Sequence, residues 1–302
     1  MSEDVVISTH DLTKFYGRTP VVDRLNLQVP AHQITAFLGR NGAGKSTTIK
    51  MLLGITYPTS GMGTVLGKQI LDAAQNREAR CDVAYVAEDK QLYPYMTVEQ
   101  LVRFAKSFYS TWRPDVESRL LRQFELPPTR KVRALSKGMR GKLALLLALS
   151  RRPSLLILDE PSEGLDPVGI EELLQELMTA SADGVTIFFS SHQIAEVERI
   201  ADRACIIDRG KLRMNISMEE MRQRCRRITI AFQGDPPDRA FNFPGVRRVR
   251  TDGRQTVLLA EENVDALIEL ARREGAAQVE VDPVSLRELF LETVKEGHDA
   301  LV

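Results

Sequence analysis

The sequence predicts an α/β fold with a mainly parallel core sheet, an antiparallel β rim, a helical subdomain and a small α+β domain after residue 217. Three observations predict it. Three apolar, strand-like runs each end at polar residues, a glycine-rich loop joins the first run to a helical pattern, and short alternating runs with turn residues occupy the last third of the chain. Ligands of open α/β sheets bind at the carboxyl ends of the strands, so the candidate site lies there.

The glycine-rich loop, residues 39–46, matches the pattern G-x-x-x-x-G-K-[ST] and is called the phosphate loop below. It follows the apolar run 34–38 and precedes a run with helical spacing, which is the context that the pattern requires. Its backbone N–H groups and helix dipole suit phosphate oxygens, the lysine reaches the β and γ phosphates, and the serine hydroxyl takes Mg²⁺. The predicted nucleotide-binding residues are Gly39, Arg40, Asn41, Gly42, Ala43, Gly44, Lys45, Ser46 and Thr47.

Two acids follow the second strand-like run, residues 155–158. We expect Asp159 to hold Mg²⁺ through its water shell, because this ion prefers oxygen ligands, and Glu160 to polarise the water that attacks the γ-phosphorus. Asp159 could instead cap a helix, since the next residues, Pro161 and Ser162, are also compatible with a turn.

A second anion-binding helix end is predicted further along. Ser136 and Gly138 precede the strongly apolar helical stretch 143–149, so they lie at a helix N-terminus, which favours anions. The third strand-like run, residues 186–190, is followed by His192. Taken alone, His192 would more often be a surface or core histidine, but it lies where ligands of such sheets bind.

In this order the motifs resemble those of the nucleotide-binding subunits of ATP-binding cassette (ABC) transporters, over residues 5–215. The resemblance implies a P-loop ABC ATPase cassette that uses ATP and Mg²⁺. It implies catalytic roles for Glu160 and His192, and adenine stacking by Tyr16, an aromatic placed before the first strands. It also implies a nucleotide contact for Asp166.

The signature motif of that family, usually Leu-Ser-Gly-Gly-Gln, corresponds to residues 135–139. Lys137 and Met139 replace the usual Gly and Gln, a form that is similar to exporter ATPases with separate membrane subunits.

A second departure follows the segment 83–87, where the family has a glutamine and this chain has Glu88. We expect Glu88 to join Ser46 and Asp159 near Mg²⁺. The alternative is that Glu88 faces solvent and that Gln91 or the backbone takes the coupling role.

The resemblance implies a dimer, with a second copy or with another ABC ATPase, in which the signature motif of one subunit faces the phosphate loop of the other. It also implies an integral-membrane permease on a separate chain, the cytoplasmic face of the cell membrane as the location, and transport that leans toward export. One alternative is a soluble mechanochemical ABC ATPase acting on ribosomes or DNA, which usually has two cassettes or a long coiled-coil insertion. Another is a nucleotide sensor with little turnover.

Composition is compatible with this function. The 302 residues, 43% of them hydrophobic, can form one large core or two modest ones, and 41 basic against 41 acidic side chains give no attraction to nucleic acid, which is not expected as a partner. Cys81, Cys205 and Cys225 lack a C-x-x-C pattern, which favours reduced packing thiols in a cytosolic protein. We expect no signal peptide, and no apolar stretch approaches the roughly 18 residues of a membrane helix.

The predicted domains are an ABC nucleotide-binding domain at residues 1–217, with its helical subdomain at about 90–150, and a small α+β domain at 218–302. Short strands are expected at 5–7 and 25–29, with Asp11 and Gly17 as turn formers.

In the helical subdomain, one face of a helix after residue 97 is expected to carry Leu101, Phe104, Ala105 and Phe108. The aromatic residues Tyr93, Tyr95 and Trp112 suit either packing or contact with a partner.

The last domain is expected to contain a strand at 228–232, a hairpin turning at residues 252–253 and a helix capped by Asn263. A capping box at Ser285 and Glu288 should open a final helix. The basic cluster Arg222, Arg224, Arg226 and Arg227 is interpreted as a solvated face rather than a lipid or RNA site.

Overall fold

A computed structural model describes residues 4–237, 241 and 244–299 of the chain. The chain divides into two compact units, Met1–Asn215 and Ile216–Val302. The boundary predicted after residue 217 falls at the last residue of a strand, Lys211–Ser217.

The first unit alternates strands and helices. In chain order its elements are β1 (Val5–Tyr16), β2 (Thr19–Leu25), β3 (Gln28–Pro30), β4 (Ile34–Leu38), α1 (Lys45–Leu52), β5 (Ser60–Val65), β6 (Lys68–Gln69), α2 (Ala73–Asp82), β7 (Val83–Val86), α3 (Val98–Lys106), α4 (Pro114–Gln123), a 3₁₀ turn (Val132–Ala134), α5 (Lys137–Leu149), β8 (Leu155–Asp159), α6 (Pro167–Ala182), β9 (Thr186–Ser191), α7 (Ile194–Ile200), β10 (Arg203–Asp208) and β11 (Lys211–Ser217).

A six-stranded sheet forms the core, in the order β11-β10-β4-β9-β8-β7. The pairings from β10 to β7 are parallel, as predicted. Every residue of β4, β8 and β9 is buried, which explains why these strands are continuous apolar runs rather than alternating ones. Because parallel strands end at the same edge of the sheet, the residues that follow these three strands meet there.

The antiparallel rim has the order β2-β1-β5-β6, with β3 also paired to β1. The predicted strand bounds were wrong here, because β1 continues through Asp11 to Tyr16. Asp11 has φ 46° and lies where the β1–β5 register shifts between His10 and Thr13, so the chain bulges instead of turning. Gly17, with φ 63°, is part of the turn to β2, and Tyr16 is therefore the last residue of the first strand rather than a residue before it.

The helical subdomain contains α3, α4 and α5. The predicted apolar face of α3 is only partly correct, because Leu101 is buried whereas Phe104 and Phe108 are 38% and 65% exposed. The helix ends at Lys106, so helical spacing does not carry Phe108 onto the buried face. Instead the Phe108 ring meets Phe104 edge-on, with the ring centroids 5.0 Å apart.

The aromatic residues of this subdomain have different environments. Trp112 is buried, and its indole N–H donates to Glu117 at 2.6 Å, so it has a packing role. Tyr93 and Tyr95 are exposed, and their ring centroids lie 5.9 Å apart.

The second unit is an antiparallel sheet with three helices. Its elements are α8 (Met218–Arg224), β12 (Arg226–Phe232), β13 (Val246–Asp252), β14 (Gln255–Ala260), α9 (Val264–Arg273), β15 (Ala276–Pro283) and α10 (Leu286–Asp299). The strand order is β13-β14-β12-β15, and the predicted hairpin joins β13 to β14. Buried Ile228, Ile230, Leu258 and Leu267 contribute to its own hydrophobic core.

The helix starts of this unit differ in their caps. Ser285 and Glu288 form the predicted capping box, since each backbone N–H donates to the other side chain at 3.1 and 3.2 Å. Asn263 is the N-cap residue of α9 as predicted, but its side chain makes no capping hydrogen bond. It has φ 59°, and its side-chain amide donates to the carbonyl of Pro244, so it ties the helix start to a loop.

Two further predictions concern the basic cluster around Arg227 and the cysteines. Arg227 forms ion pairs with Asp282 and Glu288 at 3.0 and 2.8 Å, which fits a charged structural surface better than an RNA site. Cys205 and Cys225 are buried, but Cys81 is exposed and is not a core residue, because it lies on an outer position of α2.

None of the helices in the described ranges combines the length and the hydropathy that crossing a membrane requires.

A stop codon after Ser217 should yield a soluble protein that unfolds cooperatively, since residues 1–217 include the whole first unit and the six strands of the core sheet, the last of which ends at Ser217. Circular dichroism melts and size-exclusion chromatography measure this. A stop after Asp208 is the control and should give insoluble protein, because it also removes β11. Insoluble protein from both truncations would contradict the division into units.

Candidate functional site

The phosphate loop follows β4 and ends at the start of α1. Gly44 is the N-cap, has φ 107° and gives no side-chain cap to the first turn. The N–H groups of that turn are therefore available to an anion. A Cβ atom on Gly44 would lie 2.6 Å from the carbonyl oxygen of Val21, and one on Gly39 would lie 2.6 Å from that of Ile207. Both positions consequently require glycine.

Lys45, the first residue of α1, is buried at the end of the loop. Its Nζ donates to the carbonyl oxygens of Gly39 at 2.7 Å and Arg40 at 3.2 Å. It also lies 3.0 Å from Oε1 of Glu160. That oxygen has no hydrogen-bond partner among the described residues, so the contact is an ion pair rather than a hydrogen bond. The ammonium group is held where a phosphate bound to the loop would contact it.

Glu160 directly follows β8 and is also buried. Its backbone has φ 46°, an unusual conformation for a residue with a side chain, and its N–H donates to Oγ of Ser190 at 3.0 Å. Its Oε2 lies 2.8 Å from Nδ1 of His192, whose side chain is 43% exposed. The structure thus brings the two predicted catalytic residues into contact and places Lys45 beside them.

Asp159 is the last residue of β8, which excludes the alternative that it caps a helix. Its Oδ1 accepts hydrogen bonds from Oγ of Ser46 at 3.1 Å and from Oγ of Ser190 at 2.6 Å. Hard cations prefer such oxygen donors. Within the described residues, no group of three or more His, Cys, Asp or Glu side chains could hold a metal by itself. A cation held by Ser46 and Asp159 would therefore take further ligands from phosphate or water.

These groups open into a cleft of about 560 Å³. The residues that line it include predicted ones, Asn41, Gly42, Gly44, Lys45, Ser46, Thr47, Glu88, Glu160 and His192, together with Val21 and Glu163. The predicted residues that are not among the described lining residues are Tyr16, Gly39, Arg40, Ala43, Ser136, Gly138, Asp159 and Asp166.

Glu88 is an exposed residue of the cleft lining, and its carboxyl group lies close to that of Glu163. Partial burial of the carboxyl group, followed by the hydrogen bond and the negative charge of Glu163, raises the pKa of Glu88. Asp159 and Glu160 act in the same direction. Gln91 donates to its neighbour Asp89 at 2.9 Å. Glu88 therefore belongs to a group of carboxylates around the cleft.

The signature segment forms the start of α5, as predicted. Ser136 is the N-cap, and its Oγ accepts a hydrogen bond from the N–H of Met139 at 3.1 Å. Lys137 extends from the first turn to Glu163, with Nζ 2.6 Å from Oε1. Gly138 packs closely on the loop after β8, because a Cβ atom there would lie 3.1 Å from the carbonyl oxygen of Gly164.

Two other predicted residues lie outside the cleft lining. Tyr16 is 54% exposed, and the ammonium group of Lys14 is 5.2 Å from its ring centroid. Asp166 is the N-cap of α6, where its Oδ1 accepts from the N–H of Gly169 at 2.7 Å. The structure gives Asp166 a capping role in its own chain.

Sequence reasoning missed Val21 and Glu163, which line the cleft, and Ser190 and Glu196, which are hydrogen-bonded to residues beside it. Ser190 carried a usable signal, since it is a polar residue near the end of the apolar strand β9. Glu163 and Glu196 carried none, because a single acid in a loop or in the first turn of a helix is common on protein surfaces.

Comparisons with known proteins agree with this geometry. A family model described as "ABC transporter" matches residues 22–163. The bacitracin transport ATP-binding protein BcrA of Bacillus licheniformis is 36% identical over 231 residues, which cover 76% of this chain and 74% of BcrA. The chain belongs to the ABC transporter ATP-binding family.

Another ABC relative, the Nod factor export ATP-binding protein I of Rhizobium meliloti, is 34% identical over 300 residues, 95% of this chain and 87% of that protein. A solved ATP-binding subunit of an ABC transporter superposes with a TM-score of 0.65 at 32% identity and covers 72% of this chain and 92% of its own. The protein is thus an ATP-binding ABC ATPase subunit with the cassette fold. The alternative of an ATPase acting on ribosomes or DNA is not favoured.

The raised pKa of Glu88 predicts a pH-dependent stability. Ionising Glu88 costs more free energy in the folded than in the unfolded chain, so this cost is absent at low pH and appears as the pH rises through the raised pKa. Glu88→Gln should therefore raise Tm at neutral pH. The difference should vanish as the pH falls toward about 4.3, the ordinary pKa of glutamate.

Thermal melts followed by circular dichroism at several pH values measure this. Glu125→Gln is the matched control, because Glu125 is an exposed glutamate outside the cleft lining. Equal melting curves for wild type and Glu88→Gln at neutral pH would show that the neighbouring carboxylates do not act on Glu88.

Proposed function

We propose that this chain is the ATP-hydrolysing subunit of an ABC exporter, bound at the cytoplasmic face of the membrane to a permease on a separate chain. The names of its relatives, a bacitracin transport protein and a Nod factor export protein, support this class. The cleft of this chain is lined by phosphate-binding and acidic groups, which suit a nucleotide rather than a cargo. We therefore assign cargo binding to the permease.

The observation that carries the proposal is the position of Glu160. Its carboxylate is buried, contacts Lys45 through one oxygen and His192 through the other, and lines the same cleft as the phosphate loop. We assign to Glu160 the orientation and polarisation of the attacking water. His192 fixes the Glu160 carboxylate, and Lys45 holds the β and γ phosphates.

Mg²⁺ is the cation proposed for the oxygen pair of Ser46, which lines the cleft, and Asp159, which accepts a hydrogen bond from Ser46. The ion would neutralise phosphate charge. Ser190 keeps Asp159 in place, since it donates to the same carboxylate oxygen. Glu88 is proposed as a further ligand of Mg²⁺, because it lines this cleft and its carboxylate oxygens suit a hard cation.

The working form is proposed to be a dimer of cassettes, with a second copy or a related ATPase, joined by ATP. Ser136 and Gly138 form the N-terminal end of α5, which attracts anions, yet they do not line the cleft among the described residues. They are free to meet nucleotide held by another subunit. Tyr16 is proposed to stack on adenine, because its ring is exposed. Asp166 is proposed to contact nucleotide across the interface.

Glu160→Gln should keep ATP binding, which depends on Lys45 and backbone N–H groups, while turnover falls by about 100-fold or more because the water is no longer polarised. Steady-state phosphate release and nucleotide titration measure both. ATP-dependent dimer should also accumulate in size-exclusion runs with Mg-ATP. Glu163→Gln is the matched control, since Glu163 lines the same cleft without contacting Lys45 or His192. Wild-type turnover in Glu160→Gln would refute the assigned role.

A second pair of variants separates the two phosphate-binding helix ends. Lys45→Ala should abolish nucleotide binding to the monomer, because it removes the ammonium that contacts phosphate. Ser136→Arg should leave monomer binding intact and block dimerisation through steric bulk. Fluorescent-nucleotide titration and light scattering distinguish these results. An equal loss of monomer affinity in both variants would mean that the signature segment acts within its own chain.

A further inference from the structure

Glu196 is a buried acid that the reaction as described above does not use. It lies in the first turn of α7 and is only 5% exposed. Its Oε2 accepts a hydrogen bond from Oγ of Ser162 at 2.9 Å and a longer one from Oγ of Ser191 at 3.4 Å. One carboxylate oxygen therefore joins two segments that are distant in the sequence.

Each of these serines is adjacent to a residue of the reaction centre. Ser162 follows Glu160 by two positions, and Ser191 immediately precedes His192. Both serines are buried, at 3% and 0% exposure. A shift of either segment would therefore alter the contact between Glu160 and His192, which measures 2.8 Å.

The backbone conformation of Glu160 explains why the hydrogen bonds of Glu196 matter. With φ 46°, Glu160 has a strained backbone conformation that persists only where the surrounding structure holds it. Ser190 holds the N–H of Glu160 from the strand side. Glu196 holds the chain on the other side of Glu160, through Ser162.

Fold stability alone does not account for a carboxylate at this position. The second oxygen of Glu196, Oε1, has no hydrogen-bond partner among the described residues, and a buried polar atom without a partner is unfavourable. Burial raises the pKa of Glu196, while the hydrogen bonds from Ser162 and Ser191 lower it. An apolar side chain of similar size would avoid this cost, but it would remove the carboxylate acceptor of both serine hydroxyls.

We propose that Glu196 is a positioning residue for ATP hydrolysis, which fixes the distance between Glu160 and His192 by holding Ser162 and Ser191 on one carboxylate oxygen. The proposal depends on the roles proposed for Glu160 and His192. Glu196 forms no hydrogen bond with either of them, so its geometric link to the pair runs through the two serines. The charges of Glu160 and His192 also act on Glu196, but more weakly than burial and the two serine hydrogen bonds.

The test compares Glu196→Ala with Glu196→Gln in steady-state ATPase assays on the full chain. Glu196→Ala should lower kcat by about tenfold or more, since small displacements of catalytic groups cost up to about 100-fold. The KM for ATP should change by less than about threefold, because the phosphate loop is not affected. Glu196→Gln keeps an oxygen acceptor for the serine hydroxyls and should recover most of the lost kcat.

Glu176 provides the matched control. It is 2% exposed, lies on α6, pairs through one oxygen with Arg119 and Gln123, and likewise has a second oxygen without a hydrogen-bond partner. Glu176→Ala should lower Tm but keep the kcat of the remaining folded protein. In a double-mutant cycle, Ser162→Ala should lower kcat, and should add little when combined with Glu196→Ala, because both changes remove the same link.

Wild-type kcat in Glu196→Ala, or a loss that Glu196→Gln does not recover, would overturn the inference. So would a loss of kcat in Glu176→Ala equal to that in Glu196→Ala, which would indicate a general effect of removing a buried acid. Glu160→Gln is measured alongside. If Glu160→Gln keeps wild-type turnover, the proposed function itself fails; if turnover falls but Glu196→Ala is unaffected, only the role of Glu196 fails.

Discussion

The buried contact between Lys45 and Glu160 is the interaction on which the site depends. Their side chains are only 5% and 8% exposed, and their charged atoms lie 3.0 Å apart. A buried charge without a partner costs several kcal/mol, so removing one of the two leaves the other uncompensated. The carbonyl of Gly39 and the ring of His192 complete the environment of the pair. This contact joins the loop after β4 to the end of β8 and so closes the foot of the cleft.

The parallel sheet makes that contact possible, and its edge is held by a short series of hydrogen bonds. Ser190, near the end of β9, accepts from the N–H of Glu160 and donates to Asp159. Asp159 accepts in turn from Ser46 at the start of α1. Two strand ends and the start of α1 are thereby connected through side chains rather than through the backbone ladder. A defect at any of these positions would move groups that belong to different parts of the chain.

The departures from the usual family motifs are physically connected. Glu88 lies close to Glu163, and Glu163 is paired with Lys137, the residue that replaces the usual glycine of the signature segment. Lys90 lies close by; burial lowers its pKa, while the charge of Glu163 opposes that effect. The acid at residue 88 and the lysine at residue 137 are thus linked through Glu163. The acids around Glu88 raise its pKa, so the carboxylate at this position costs free energy when it is ionised.

The sequence determined the parts of this protein that depend on local chemistry. The phosphate loop was recognisable because only glycine fits at Gly39 and Gly44, and the buried strands were recognisable because parallel strands covered on both faces are continuously apolar. Caps such as Ser136 and Ser285 followed from the helix starts they serve. The extent of β1 did not, since a bulge at Asp11 has no clear signal in one sequence.

Tertiary structure alone decided which distant groups meet. Nothing in the spacing of residues 88, 163 and 196 indicates that Glu88 meets Glu163 or that Glu196 holds two serines, because those contacts are set by the order of strands in the sheet and by the packing of α5 and α7. The outward position of Phe104 and the capping role of Asp166 were decided in the same way. A sequence pattern specifies what a segment can form, whereas its partners are chosen by which surfaces the complete fold brings together.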